Sequence, residues 1–172
     1  MGRIRAPIIA ACPRTQLVYV VDGVEVAGRA LAASFGAAYL PTLGAAIDAG
    51  GIDAIVLCTP TFAHADAIRE VATAGLPLFT EKPVAEDSAT IASLFEFTEA
   101  KGVQLCCGFQ RRFDEAYVAV RDAVSSGQIG NVTMGTVFFG DSPVPPLEFL
   151  LAGGDPFMDL SVHDLDYGEW GL

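Results

Sequence analysis

The stretch Leu76–Val84, LPLFTEKPV, decides how the chain is read. Leu76 to Thr80 is a short apolar run that predicts a buried strand, and Glu81-Lys82-Pro83 then turns the chain abruptly polar. In an open parallel sheet the ligand crevice lies beyond the carboxyl ends of the strands, so a charged pair at that point stands where chemistry is done. Lys82 is accordingly the first catalytic candidate. Pro83 lacks an N–H and biases Lys82 away from helical geometry, which keeps the lysine at the strand end. An X-Pro bond is also one that can be cis. The same nine residues suit a surface turn with an incidental Glu-Lys pair, since Gly and Pro mark loops everywhere.

Working outward, the pattern on both sides alternates strand and helix. Asp53–Thr59, DAIVLCT, predicts a buried strand stopped by Pro60, and Ala63–Ala74 a helix ended by Gly75. Asp87–Lys101 predicts a long helix led by acids that suit its positive end, closed by Gly102, and Gln104–Phe109 another strand. Nearer the start, Gly2–Ala11 predicts a helix that admits Pro7 only within its first turn. Leu17–Val21 predicts a strand ending at Asp22, Val24–Phe35 a helix closed by Gly36, and Thr42–Ala49 a short helix. Strands apolar on both faces, alternating with helices, predict an α/β, doubly wound parallel sheet of the Rossmann type.

The grammar then changes. Phe113–Ser126 predicts a helix ended by Gly127, Val132–Phe139 a longer mixed strand, Asp141–Gly154 a Pro- and Gly-rich loop, and Phe157–Trp170 a final helix. The change places a boundary near residue 109. Residues 1-108 are read as one α/β domain and 109-172 as the beginning of a second, α+β one.

Composition narrows the function classes. The 172 residues are 52% hydrophobic, with a mean hydropathy of +0.44, which excludes a disordered chain. No apolar run approaches the roughly 18 residues of a membrane span. The opening MGRIRAPIIAAC imitates a secretion signal, but Pro7 and Pro13 confine its apolar patch and no small-residue cleavage site follows. Ala6 stands where a myristoylation signal wants Ser or Thr. A formal net charge of -11 with no basic cluster argues against nucleic acid, and Arg111-Arg112 is only a pair. Cys58, Cys106 and Cys107 sit in apolar strand-like runs and Cys12 lies apart, without CxxC spacing, so they read as reduced core residues of a cytoplasmic protein, not as a zinc site or disulfide framework.

Gly2 stands just before the first predicted helix, and Asp22 closes the next strand twenty residues later. That is the second half of a dinucleotide fingerprint, strand, GxGxxG, helix, then an acid on the ribose. Gly2 fits its last glycine, although it also reads simply as a second residue.

Several motifs together resemble the glucose-fructose oxidoreductase and inositol dehydrogenase (Gfo/Idh/MocA) family of nicotinamide-dependent enzymes. They are CTPTFAH at Cys58–His64, EKP at Glu81–Pro83, CGFQRRFD at Cys107–Asp114, GQIG at Gly127–Gly130 and DLSVHDLD at Asp159–Asp166. The likeness spans essentially the whole chain and is strongest to inositol 2-dehydrogenase-like members. It implies an NAD(P)-dependent dehydrogenase acting on the CH–OH group of a cyclic polyol or sugar, with Lys82, Asp159 and His163 as the catalytic trio. It implies that Gly2, Asp22, Thr59, Pro60, His64, Glu81, Lys82 and Gln110 lie along the cofactor, and that full-length relatives form homo-oligomers. Two departures accompany it. Residues 1-108 are, on this likeness, a dinucleotide-binding domain expected to lack its first strand and phosphate-cradling glycines, and 109-172 are the beginning of the substrate domain, within which the chain is expected to end.

The chemistry suits these residues. Oxidising a secondary alcohol requires a base for the hydroxyl proton while hydride leaves the same carbon. His163, a residue type that titrates near neutrality, suits that task, and Asp159 one turn earlier on the predicted helix can orient its ring. Lys82 can donate to the reacting oxygen. The plainer alternatives are a first-turn acid for Asp159 and a satisfied interface histidine for His163. Asp164 and Asp166 give HDLD the look of a metal motif, but consecutive helical residues point to different faces, so a metal is not expected. Asp22 can accept from the ribose hydroxyls of NAD and repels the extra phosphate of NADP, and no arginine follows it until Arg29, so NAD is favoured over NADP. The competing reading is an inactive fragment that keeps these residues as a binding module.

Overall fold

The structure is a computed structural model that describes residues 1–138, 140, 144, 147 and 161–171. It divides into two compact units, Met1–Cys107 and Gly108–Leu172.

In the first unit, helices and parallel strands alternate. The order is α1 (Gly2–Ala11), β1 (Tyr19–Val21), α2 (Glu25–Ser34), β2 (Ala38–Leu40), α3 (Leu43–Ala49), β3 (Ile55–Leu57), α4 (His64–Thr73), β4 (Leu78–Thr80), α5 (Ser88–Ala100) and β5 (Leu105–Cys107). The helix boundaries follow local chemistry. Thr42 caps α3 by accepting from the Ala45 N–H at 3.2 Å, and Asp87 caps α5 by accepting from the Thr90 N–H at 2.8 Å. The Thr90 bonds also hold the Asp87 carboxyl below its ordinary range. At the far ends of α4 and α5, Gly75 and Gly102 take φ of 75° and 66°, a left-handed turn that favours glycine.

All strand pairs are parallel and form two ladders. β1 pairs with β2, and β3, β4 and β5 form a second ladder in that spatial order. The register sets Leu57 beside Thr80 and Thr80 beside Cys107. Strands that run the same way and start level also end level, so the residues after them emerge along one edge. The core lies against this ladder: Leu57, Leu78, Val84, Ala85 and Val103 meet Ile68, Val71 and Ala72 of α4 and Leu94 of α5. His64, Ile68, Val71 and Ala72 fall at helical spacing on one face of α4. Ile68 and Leu94 are wholly buried, each contributing roughly 1.5–3 kcal/mol by burial.

The second unit contains a short 3-10 turn (Gln110–Phe113), α6 (Glu115–Ser125) and α7 (Ser161–Gly171). Asp114 caps α6 by accepting from the N–H groups of Ala116 and Tyr117. Helices α6 and α7 pack through an edge-to-face pair of Tyr117 and Tyr167, with ring centroids 4.7 Å apart. The Tyr167 hydroxyl donates to the Tyr117 carbonyl at 3.3 Å.

Four expectations are corrected. β2 has no counterpart in the sequence reading, because three residues between Gly36 and Pro41 are too few to show a period. Pro7 lies in the second turn of α1, not the first. The helix tolerates it there because the loss is one bond near a terminus, with the Ile4 and Arg5 N–H groups both donating to the Met1 carbonyl upstream. Residues 132–138 form no strand, and among the described residues no strand pairs with them to complete their backbone bonds. Cys106 is exposed, turned outward by the alternation of β5. The loop over 141–154 and the start of the last predicted helix, residues 157–160, lie outside the described residues apart from 144 and 147.

Glycine 28 is where α2 meets β1 and β2. A Cβ there would stand 2.5 Å from Tyr39 Cε2 and 2.9 Å from Asp22 Cβ, and Tyr39 cannot swing freely because its hydroxyl donates to the Asp22 carbonyl at 3.1 Å. Gly28→Ala is therefore expected to lower the melting temperature. Overpacking costs about 1–3 kcal/mol, which outweighs the helix-propensity gain of about 1 kcal/mol. Thermal melts of parent and variant test this, and an unchanged or raised melting temperature contradicts it.

Candidate active site

The level ends of β3 and β4 bring several of the singled-out residues to one edge of the first unit. Thr59 and Pro60 follow β3, and Glu81, Lys82 and Pro83 follow β4, with the Glu81 N–H donating to the Leu57 carbonyl at 3.2 Å as the last rung of the ladder. The Lys82–Pro83 bond is cis. Lys82 is half-buried.

His64 ties the two strand ends together. Its ring is 1% exposed. Nδ1 lies 2.9 Å from the Pro83 carbonyl and Nε2 lies 2.9 Å from the Thr59 carbonyl. Carbonyl oxygens only accept, so both contacts are hydrogen bonds when the ring carries both protons, and a neutral ring donates to one of them. His64 is thus a strut between the loops after β3 and β4, with its nitrogens directed at backbone.

The start of α1 approaches the same edge. A Cβ on Gly2 would lie 3.9 Å from the Cβ of Cys58, and the N–H groups of Gly2 and Arg3 precede the first intrahelical bonds, so donors are presented at the helix start. From the first turns of α1, Arg5 Nε donates to Glu81 Oε1 at 2.5 Å. The Glu81 side chain is 9% exposed and that of Arg5 24%. The Arg5 guanidinium also lies over the Phe79 ring, 5.2 Å from its centroid. The hydrogen bond to Glu81 raises the Arg5 pKa above its ordinary value. Burial, aided by the Glu81 carboxylate, pushes the Cys58 thiol up, which keeps it protonated. Arg5 was not singled out from sequence; a pair separated by 76 positions leaves no local signal.

Asp22 stands at the end of β1. Its Oδ1 accepts from the Val24 N–H at 2.8 Å, a local turn that fixes the side chain while leaving Oδ2 for a further donor. Arg29 is held over the Tyr39 ring, 4.9 Å from its centroid, and pairs with Glu25 at 2.7 Å.

In the second unit Gln110 opens the 3-10 turn and is exposed. His163 lies in α7, buried, with Phe109 set edge-to-face at 6.1 Å. The acids beside it serve two arginines. Arg111 Nη1 donates to Asp164 Oδ1 at 2.5 Å, and Arg112 makes a two-pronged contact with Asp166 at 2.5 and 3.1 Å. Among the described residues no group of three or more His, Cys, Asp or Glu is placed to hold a metal. The QRRFD and HDLD motifs are therefore two halves of one clamp, a pairing invisible in sequence because 53 and 54 positions separate the partners. Asp159 lies outside the described residues.

Residues 1–109 match the sequence pattern of an oxidoreductase family with an NAD-binding Rossmann fold, Gfo/Idh/MocA. The chain belongs to this family. Among similar proteins, the inositol 2-dehydrogenase of Rhizobium meliloti (strain 1021) is 36% identical over 172 residues, which is 100% of this chain and 52% of that protein. The crystal structure of a myo-inositol dehydrogenase from Corynebacterium glutamicum ATCC 13032 superposes with a TM-score of 0.86 at 28% identity, over 99% of this chain and 51% of that one. The WlbA dehydrogenase of Bordetella pertussis, solved with NADH and UDP-GlcNAcA, gives a TM-score of 0.86 at 28% identity, over 99% of this chain and 51% of that one. The chain spans about half the length of the curated relatives it matches. The family match coincides with the parallel ladders and strand-end residues of the first unit.

His64→Ala should separate the strut from any cofactor role. It strips the donors from the Thr59 and Pro83 carbonyls, and leaving a buried acceptor without a partner costs about 1–3 kcal/mol. The expected result is a lower urea midpoint with an unchanged slope. A midpoint equal to the parent's rules the strut out.

Proposed function

We propose that the chain carries the nucleotide-binding and catalytic residues of an NAD-dependent dehydrogenase that oxidises a secondary alcohol of a cyclic polyol or sugar. The observation that carries this reading is the edge of the parallel ladder. Thr59, Pro60 and Lys82 follow adjacent strand ends beside the start of α1, and Asp22 ends a strand of the companion ladder. Crevices of this kind bind dinucleotides in open α/β sheets. The names of similar proteins, an inositol 2-dehydrogenase and a myo-inositol dehydrogenase, support the substrate class.

The residues present fit such a cofactor. Gly2 and Arg3 supply backbone donors at a helix start that suit a pyrophosphate. Asp22, braced through Oδ1 by Val24, offers a carboxylate oxygen to ribose hydroxyls and opposes a 2′-phosphate, which favours NAD over NADP. Arg29, engaged by Glu25 and Tyr39, is held by groups that compete with a phosphate for it. A bound nicotinamide would supply the acceptor for the hydride that leaves the alcohol carbon. Lys82 donates a hydrogen bond to the oxygen of that carbon and stabilises its developing negative charge. His163 takes the hydroxyl proton, and Asp159, four residues before it, orients the imidazole. The products are a ketone, the reduced cofactor and one proton. Residues 109-172 are, on this reading, the beginning of the substrate domain.

The reading includes a cytoplasmic location. It rests on four cysteines that are all free and on the lack, among the described residues, of any helix long and apolar enough to cross a membrane. The net charge of -11 disfavours nucleic acid as a partner.

Two measurements test the proposal. Titrating NAD into the labelled chain and following amide resonances should perturb Gly2, Arg3, Asp22 and Thr59, with weaker effects from NADP, and Asp22→Ala should reduce the affinity at least tenfold. Absence of any perturbation at millimolar NAD sinks the cofactor assignment. With myo-inositol and NAD as substrates, NADH formation should fall about 100-fold in kcat on Lys82→Ala, with KM changing little, as for loss of one donor to a developing oxyanion. Turnover within a few-fold of the parent removes Lys82 from the mechanism.

A further inference from the structure

We propose that Arg5 is a cofactor-positioning residue, whose ion pair with Glu81 neutralises that carboxylate and joins the start of α1 to the end of β4 as two walls of the dinucleotide crevice. The inference rests on the NAD reading above and deepens it.

A carboxylate as buried as that of Glu81 is costly unless a cation meets it. Arg5 meets it at 2.5 Å through Nε, and the Phe79 ring beneath the guanidinium limits how far the arginine can turn. The pair therefore has two anchors on β4 and its continuation, Phe79 and Glu81, and one on α1. Arg5 stands three residues after Gly2 in α1, close to the helix start that offers the backbone donors. Its charged side chain reaches across to Glu81, the residue before Lys82. Both effects bear on a dinucleotide. The helix start that offers the Gly2 and Arg3 donors is tethered to the strand end that carries Lys82, and the Glu81 charge does not oppose an incoming pyrophosphate. With Arg5 gone, the same carboxylate becomes an uncompensated negative charge at the crevice.

The opposite signs of the two partners make the inference testable on the full chain by the NAD titration described above, run on Arg5→Gln, Glu81→Gln and the double variant. Arg5→Gln should weaken NAD about tenfold or more. Glu81→Gln removes the carboxylate that Arg5 neutralises, so the double variant should bind within about threefold of Glu81→Gln alone, a coupling of the size contacting charges show. A pair that is only structural predicts lower melting temperatures for both single variants and no change in NAD affinity. Arg5→Lys keeps the charge and is expected to retain most of the affinity, which supplies a folded comparison if Arg5→Gln does not fold. Parent-like affinity in Arg5→Gln, a double variant more than about threefold weaker than Glu81→Gln, or an Arg5→Lys variant as weak as Arg5→Gln overturns the proposal while leaving the cofactor reading intact. A parent that shows no NAD perturbation overturns both.

Discussion

The first unit depends on the parallel register of β3, β4 and β5, in which Leu57, Thr80 and Cys107 stand level across three strands. The ladder face that carries Leu57, Leu78 and Thr80 is buried against α4 and α5, whereas Val56 and Cys106 on the other face are exposed, and polar residues gather where the strands stop. That single constraint places Ile68, Val71 and Leu94 against one ladder and sends Thr59, Pro60, Glu81 and Lys82 to one edge. The gathering of these residues at one edge is thus a by-product of how the core is built.

The edge also has to be held, because loops at strand ends lack ladder bonds of their own. Two buried polar devices do this. His64, at the head of the apolar stripe of α4, spans the carbonyls of Thr59 and Pro83. Arg5 reaches from α1 to Glu81. Each holds a residue that flanks Lys82, Pro83 for His64 and Glu81 for Arg5, and both place polar groups in nearly dry surroundings, where a partner lost is felt far more than at the surface.

The second unit uses the same principle in a different form. The paired arginines of the 3-10 turn hold Asp164 and Asp166 of α7, and the Tyr117–Tyr167 and Arg121–Trp170 contacts add to the seam between α6 and α7. The acids that surround His163 in sequence are engaged by these cations. An HDLD run that resembles a metal ligand set is, in space, half of an arginine clamp.

The sequence by itself determined the alternation of parallel strands and helices, the stops at Gly75 and Gly102, and the starts of α3 and α5 near Thr42 and Asp87, because each depends on residues within one turn or one strand of each other. It also marked the strand-end residues, since apolar runs ending at Thr59 and Glu81 show in one dimension where a buried strand must meet water. Only the tertiary structure decided what those residues touch. It assigned Glu81 to Arg5, His64 to two backbone carbonyls, and Asp164 and Asp166 to Arg111 and Arg112. It also supplied β2, whose three residues become a strand by pairing with β1, and kept Pro7 inside α1. The physical reason is that charge pairing and burial join residues by distance in space, and a chain of this length brings together partners that no local pattern links.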